Sequence, residues 1–365
     1  MPMFSYIKSY LFNVPTTTAL NVKYYYERKE FECTYCGWDS WDPKCILPGW
    51  VTELLTPITN ADLYVRAARL LIAIDKCIVD DRNSVNAGVT NDKATLRVFV
   101  APEFYFRPVN VSATQGGFYT KTEFGQLTTV LMDFFNKCKT RHTDCTSLEN
   151  WVFLCGTCVF DDDGIAATVL KNMMIVCTVN KSGETYKAET RLIRKMHTSP
   201  IDGIDDGLDF NKKPGIESFN TAERLNHFLP DYRLFVEICL EHYHKLMVET
   251  VEDAKTRMTL LPVTVHVISA AGIGIIPANT LPHTMVFRND GYRYCLKDTT
   301  MITGEDKDDP TMPILFYEIP DGNVAPWKDI AVDGVFEHIG VHPGDASIQI
   351  SGDCPLSAKL FVYHE

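Results

Sequence analysis

Short apolar runs rich in β-branched residues alternate with two long segments whose apolar residues recur at helical spacing. A helix with one apolar face must bury that face against another layer, so this alternation favours stacked sheets and helices. The first such segment follows Asn60, which suits an N-cap, and the second covers about 121–138. Thr120 and Glu123 precede the second stripe at capping-box spacing. The element order predicts an α/β fold.

Strands are predicted where apolar and polar residues alternate or where a short run is continuously apolar. They fall at 20–26, 96–101, 151–160, 172–179, 186–193, 234–239 and 263–269, with hairpins at 284–296 and 314–319. A further helix is predicted over 244–258. The sequence contains no internal repeat, low-complexity block or linker, so we expect one domain over 1–365. Residues 28–59 are an irregular insertion, which we interpret either as a lid over a pocket or as a cover for a sheet edge.

Composition limits the classes of partner and the cellular location that we expect for this protein. Lys and Arg number 35 against 47 Asp and Glu, a net charge of −12, which disfavours binding to nucleic acid or to an anionic membrane. The start lacks a basic region followed by an apolar one, so we expect no secretory signal and a cytoplasmic protein. The twelve cysteines are too few for a disulfide scaffold and are interpreted as reduced thiols. The longest charge-free stretch, 258–287, is interrupted by prolines and does not suit a membrane span.

Three reactive side chains lie at the ends of three predicted strands: Glu103, Lys195 and Cys239. Loops at strand ends are where α/β proteins collect catalytic groups. A carboxylate, an ammonium and a thiol together suit acyl transfer by covalent catalysis. Cys239 would attack a carbonyl or nitrile carbon, Glu103 would take up the thiol proton, and Lys195 would stabilise the oxyanion. Individually, each residue is more often a core cysteine or an ordinary surface charge, so the hypothesis depends on their combination.

The local contexts of these residues resemble the nitrilase, or carbon-nitrogen hydrolase, superfamily, which has a Glu-Lys-Cys triad in this chain order. The matching segments are Pro102-Glu103-Phe104-Tyr105, Lys195-Met196-His197 and Ile238-Cys239-Leu240-Glu241. The hairpin over 172–183 also resembles the family's segment between its Glu and Lys, and the likeness spans about 60–320.

The resemblance implies an α-β-β-α sandwich of two stacked mixed sheets with flanking helices. It implies hydrolysis of a non-peptide C–N bond through a thioester, with a small linear amide or a nitrile as substrate, no cofactor and a homodimer as the assembly. An N-acyltransferase that passes the acyl group to an amine remains an alternative on the same triad. A catalytically silent binding module on the same fold is the other alternative.

The sequence departs from the family pattern after Lys195. Many members have a second Glu a few residues later, whereas this chain has an acidic loop, in which Asp202 is nearest in spacing. Support for substrate or oxyanion is therefore assigned to residues beside the triad: Tyr105, His197, Asp202, Leu240 and His242. Cys33, Cys36 and Cys45 make only half of a zinc site, and no metal is expected.

Overall fold

A computed structural model describes most of the chain between Tyr6 and Asp290, together with short strands after residue 313. The described residues are 6–12, 49–86, 95–108, 118–141, 148–161, 170–182, 185–197, 221–257, 263–271, 273, 276–281, 284–290, 314–318, 325–326, 336–340, 349–351, 354–355 and 359–363. They form a mixed α/β structure with two six-stranded sheets.

The first sheet is mixed and has the order β1-β2-β4-β5-β6, with β3 added beside β4. Its strands are β1 (Tyr6–Leu11), β2 (Thr95–Val100), β3 (Tyr119–Thr120), β4 (Trp151–Asp161), β5 (Leu170–Ser182) and β6 (Thr185–Arg194). Strands β1, β2 and β4 are parallel, whereas β4, β5 and β6 are antiparallel neighbours. The parallel half therefore brings the ends of β2 and β4 to one edge of the sheet.

The second sheet is also mixed and has the order β12-β11-β10-β9-β8-β7. Its strands are β7 (Phe228–Leu229), β8 (Leu234–Ile238), β9 (Val265–Ala270), β10 (Met285–Asp290), β11 (Ile314–Glu318) and β12 (Ala325–Pro326). Strands β8, β9 and β10 are parallel. Beyond this sheet, β13 (Phe336–Gly340) pairs with β16 (Lys359–Tyr363), and β14 (Gln349–Ser351) pairs with β15 (Cys354–Pro355).

Alternate residues of the two sheets share one apolar cluster. The first sheet supplies Leu96, Val98, Val100, Val152, Leu154, Met174, Val176 and Ile193, and the second supplies Leu234, Val236, Ile238, Val265, Val267 and Phe287. Successive strand residues point to opposite faces, so this period-two selection identifies the buried face of each sheet. Fully burying such a side chain stabilises the fold by about 1.5–3 kcal/mol.

Helices cover the other face of each sheet. Helices α1 (Gly49–Leu55), α2 (Ala61–Asn86) and α3 (Lys121–Arg141) share a second cluster with outward residues of β1, β2, β4 and β5. On the second sheet, α6 (Leu246–Arg257) packs against Phe235 through Leu246, Met247 and Val251. The short helices α4 (Thr221–Leu225) and α5 (Leu240–Tyr243) flank β8 in the chain.

Both predicted helix starts are confirmed. The Asn60 side chain accepts a hydrogen bond from the Leu63 N–H at 3.1 Å. The Thr120 hydroxyl accepts from the Glu123 N–H at 3.2 Å, and the Glu123 carboxylate accepts from the Thr120 N–H at 2.7 Å. These reciprocal bonds satisfy backbone donors that a helix start leaves unpaired. The helix predicted over 244–258 is present as α6.

The strands predicted between residues 96 and 269 are present within a few residues, but the N-terminal region differs from the prediction. The first described strand is β1, which the sequence analysis did not predict, and the strand expected at 20–26 lies outside the described residues. Strand β10 pairs with β9 and β11, so its described partners are not those of a local hairpin at 284–296. No helix within the described residues is long and apolar enough to cross a membrane.

The described end of the 28–59 insertion belongs to the body of the fold. Within α1, Val51 and Leu55 are fully buried, and the ring centroid of Trp50 lies 5.9 Å from that of Phe134 on α3. Residues 28–48, with Trp38 and Trp41, lie outside the described residues, so the choice between lid and cover stays a prediction for them.

One ion pair is buried on the helical side of the first sheet. Arg97 Nε lies 2.6 Å from Asp81 Oδ2, and the Tyr10 hydroxyl donates to Asp81 Oδ1 at 3.1 Å. The side chains of Arg97 and Asp81 are 0% and 7% exposed. Removing one partner of such a pair leaves a buried charge uncompensated.

We therefore predict that Asp81→Ala lowers the free energy of unfolding by about 3–5 kcal/mol, measured by urea denaturation. Glu53→Ala is the matched control, because it removes an exposed pair with Lys137 and should cost less than about 1 kcal/mol. Similar losses in the two variants would show that burial does not govern the Asp81 contact.

Candidate functional site

Glu103 lies in the loop after β2, and this loop is laid against a bulge in β4. Pairing between β4 and β5 shifts register between Leu154 and Thr157. The Thr157 hydroxyl there accepts from the Phe104 N–H at 2.8 Å, and its carbonyl accepts from the Phe106 N–H at 2.9 Å. Phe104 has φ 60°, a left-handed conformation that costs a bulky residue energy. The bulge thus holds the Glu103 loop in a strained path.

Gly156 makes the close approach of this loop possible. Its φ is +88°, and a Cβ atom at this position would lie 2.7 Å from Tyr105 Cβ and 3.1 Å from the Pro102 carbonyl oxygen. Only glycine adopts this positive φ without strain and leaves out the Cβ atom that would displace the loop. The conformation of the Glu103 loop therefore depends on a residue in the neighbouring strand.

Lys195 follows β6 and makes a buried ion pair with Glu103. Lys195 Nζ lies 2.6 Å from Glu103 Oε1, and the two side chains are 1% and 0% exposed. Asn172 supports both residues: its Nδ2 donates to Glu103 Oε1 at 3.1 Å, and its carbonyl accepts from the Lys195 N–H at 2.9 Å. Lys195 Nζ also lies 5.4 Å from the centroid of the Phe104 ring. The first sheet thus brings two of the three predicted residues into contact.

Cys239 follows β8, with φ 50° and ψ −105°. This backbone conformation is rare for a residue with a Cβ atom and costs about 1–3 kcal/mol. Its N–H donates to the Ser269 carbonyl at 2.9 Å, and its carbonyl accepts from the His242 N–H at 3.0 Å. Among the six cysteines whose burial the structure describes, Cys239 alone is partly exposed. A strained turn at a partly exposed cysteine suits a nucleophile.

Glu241 connects the backbone segments of Lys195 and Cys239. Its Oε1 accepts from the Met196 N–H and its Oε2 from the Ile238 N–H, both at 2.6 Å. Met196 directly follows Lys195, and Ile238 directly precedes Cys239. Burial raises the pKa of Glu241, an effect that the two N–H donors oppose. This single carboxyl group therefore joins the end of β6 in one sheet to the end of β8 in the other.

A second connection joins Cys239 to the start of the Glu103 loop. The Ser269 hydroxyl donates to the Ala101 carbonyl at 3.1 Å, while the Ser269 carbonyl accepts from Cys239. Beside it, Asn289 Nδ2 donates to the Val100 carbonyl at 2.7 Å. Because these contacts cross between the sheets, the ends of β2, β6 and β8 meet at one edge of the two-sheet core.

His197 and His242 are held by different neighbours. The ring of His197 stacks on that of His244, with centroids 4.2 Å apart. Burial, together with His244 and Lys195, lowers the pKa of His197 to about 4, so this imidazole is neutral at pH 7. His242 is fully buried, and its Nδ1 lies 2.7 Å from Glu237 Oε2. His197 thus lies near the ammonium group of the site, and His242 is bonded to the Cys239 carbonyl through its backbone N–H.

The other predicted supporting residues have different positions. Tyr105 is buried in the cluster between the first sheet and its helices, where its hydroxyl donates to the Arg66 carbonyl at 2.8 Å. This contact gives Tyr105 a role in holding the Glu103 loop against α2. Leu240 begins α5 directly after Cys239 and is partly exposed. Asp202 and the cysteines at 33, 36 and 45 lie outside the described residues.

Sequence analysis missed several residues on which the geometry depends. They are Gly156, Asn172, Glu237 and Ser269, and it quoted Glu241 only as part of a motif. Glu237 carried a usable signal, because it interrupts an apolar strand run, where a buried polar residue needs a partner. Asn172 and Ser269 carried no such signal, since their contacts come from residues distant in the chain.

Comparison of the chain with models of known families, with curated proteins and with solved structures finds no match. The interpretation of the site therefore depends on its own geometry.

Backbone strain at Cys239 yields a prediction about stability. Glycine adopts φ near +50° without steric cost, so Cys239→Gly should be more stable than Cys239→Ala by about 1 kcal/mol. Urea denaturation of both variants measures this difference. In an unstrained strand or helix the alanine variant would be the more stable by about 0.5–1 kcal/mol, and that order would contradict the strain at this turn.

Proposed function

We propose that this protein is an enzyme of the nitrilase type, which hydrolyses a non-peptide C–N bond in a small amide or nitrile. The observation that carries the proposal is the buried Lys195–Glu103 pair, with 2.6 Å between Nζ and Oε1. It lies at the same edge of the two sheets as the strained, partly exposed Cys239. Burying two charges costs several kcal/mol per ion before their attraction is counted, so the pair is a poor choice for stability alone. A catalytic role explains its position.

In the proposed reaction, Cys239 Sγ adds to the carbonyl carbon of the amide while its proton passes to Glu103. Lys195 stabilises the negative charge that develops on the carbonyl oxygen. The tetrahedral intermediate then expels the nitrogen, which receives the proton from Glu103 and leaves as ammonia or an amine. A thioester between the acyl group and Cys239 remains. Water, losing a proton to Glu103, hydrolyses this thioester and restores the thiol.

The fold supports the same proposal. The nitrilase-type α-β-β-α sandwich requires two mixed sheets that pack face to face with helices outside. This chain has two mixed sheets, and their facing side chains share one apolar cluster. Helices α2 and α3 lie against one sheet, and α6 lies against the other.

The proposal predicts a covalent acyl adduct on Cys239. The purified protein is mixed with a set of small linear amides and nitriles, quenched rapidly in acid and weighed intact by mass spectrometry. We expect an added acyl mass with at least one amide, absent from Cys239→Ala, and release of the free acid on longer incubation.

Two results would replace this proposal with an alternative. An acylated amine, formed in preference to the acid when an amine is added, would make the protein an N-acyltransferase. A binding module would give no adduct, and its Cys239 would react with iodoacetamide no faster than free glutathione does.

Glu103→Gln and Lys195→Ala should each lower kcat/KM for the trapped substrate by at least about a hundredfold. The two side chains are in contact and act on one reaction centre. The kcat/KM of the double variant should therefore be only slightly below that of the less active single variant. Steady-state kinetics of the three proteins tests this, with Glu53→Ala as a distant control. Losses in free energy that add fully would mean that the two residues act separately.

A further inference from the structure

A second polar cluster involves residues on both sides of Cys239 in the chain. Glu237 Oε2 accepts from His242 Nδ1 at 2.7 Å and from His266 Nε2 at 2.8 Å, and Glu237 Oε1 accepts from the Met247 N–H at 2.7 Å. The side chains of Glu237, His242 and His266 are all fully buried. The catalytic steps above use none of these three side chains.

The hydrogen bonds determine where the protons lie. The Ile276 N–H donates to His242 Nε2 at 2.9 Å, so Nε2 carries no proton and the proton of the neutral ring is on Nδ1, facing Glu237. His266 must likewise present Nε2–H, because a carboxylate can only accept. Burial raises the pKa of Glu237, but His266 and His242 outweigh it, so the pKa lies well below the usual range. Glu237 is therefore ionised, with two histidine donors.

The same trio is compact enough to be considered as a metal site, since its ligand atoms lie within 4.8 Å of one another. A metal on His242 Nδ1 would need that nitrogen to be unprotonated. The proton would then move to Nε2 and point at the Ile276 N–H, which is itself a donor. The observed bond thus favours a hydrogen-bonded cluster over a metal centre.

His242 connects this cluster to a turn after β9. Its ring Nε2 accepts from the Ile276 N–H, and its backbone carbonyl accepts from Asn279 Nδ2 at 2.8 Å. The Tyr243 carbonyl accepts from the same amide at 3.2 Å. These bonds fix the 276–279 turn on α5, the helix that begins directly after Cys239. Asn279 is buried, whereas Ile276 keeps partial exposure. Ile276 is therefore a partly exposed residue on a turn that is hydrogen-bonded to the helix directly after Cys239.

The other end of the same connection approaches the Glu103 side of the site. Ala271, directly after β9, packs in a small cluster with Phe104, whose ring lies 5.4 Å from Lys195 Nζ. The segment that leaves β9 therefore begins beside the Glu103–Lys195 pair and, at 276–279, contacts the helix of the nucleophile.

We propose that the 276–279 turn forms one wall of the substrate pocket, and that His242 is the positioning residue that holds this wall. Glu237 fixes the tautomer of His242, His242 accepts from Ile276, and the Ile276 side chain then limits the size of the group bound beside Cys239. The proposal rests on Cys239 as the nucleophile of the proposed function and extends it to substrate selection.

Two substitutions separate the two faces of the His242 ring. In His242→Asn the amide nitrogen can replace Nδ1 and still donate to Glu237, but the side chain is too short to reach Ile276. In His242→Gln the amide oxygen can replace Nε2 and accept from Ile276, while the bond to Glu237 is weakened. The asparagine variant should therefore release the wall, and the glutamine variant should retain it.

The probes are iodoacetamide and the bulkier N-phenyliodoacetamide, whose alkylation of Cys239 is followed by peptide mass spectrometry. We expect iodoacetamide to react with His242→Asn within about twofold of the unsubstituted rate, while discrimination between the two probes changes by about tenfold, the scale set by a pocket wall. His242→Gln should restore the original discrimination. Ile276→Ala should reproduce the asparagine result without altering the buried cluster.

Three results would overturn the proposal. Equal slowing of both probes in His242→Asn would mean that His242 acts on Cys239 itself. Unchanged discrimination in both His242→Asn and Ile276→Ala would mean that the turn is not a wall. One bound metal ion per chain in the purified protein, lost in His242→Asn, would make the trio a metal centre. Alkylation requires no substrate turnover, so the wall can be supported even where acyl trapping fails and the proposed function falls.

Discussion

The buried contact between Lys195 and Glu103 is the interaction on which the architecture of the site depends. It pairs an ammonium and a carboxylate at 2.6 Å where both side chains are nearly inaccessible to water. A single buried charge without a partner would destabilise the fold, so the structure must bring the ends of β2 and β6, which carry Glu103 and Lys195, into contact. The two loops that carry the pair are fixed by the bulge in β4, by Gly156 and by Asn172.

The nucleophile belongs to the other sheet and is positioned by backbone contacts. Two buried carboxyl groups flank it: Glu241 accepts from the backbone on both sides of the sheet interface, and Glu237 accepts from two histidines and from the start of α6. Together they fix the backbone before and after Cys239. The strained conformation of Cys239 can persist because its surroundings determine it so fully.

Much of the fold followed from local patterns. Asn60, and Thr120 with Glu123, indicated the helix starts correctly because capping is a short-range interaction. Strand β1 was missed, although Tyr10 is buried against Trp151, because a short N-terminal run gives little periodic signal. For the site, Glu103 and Lys195 were predicted from the motifs that surround them at the ends of predicted strands, and the structure brings these two into contact. Asn172 and Ser269 could not be predicted, because their partners are fixed only by tertiary packing.

The hydrogen bond from Ser269 to Ala101 also has a consequence for the order of folding. It joins residues 168 positions apart in the chain, and the Lys195–Glu103 contact joins residues 92 apart. Contacts between such distant residues form slowly, because a long loop loses conformational entropy before the new contact contributes any stabilisation. Each sheet can acquire its local hairpins and helices earlier, but the geometry around Cys239 requires the two sheets to have docked. The site is therefore among the last parts of the molecule to form.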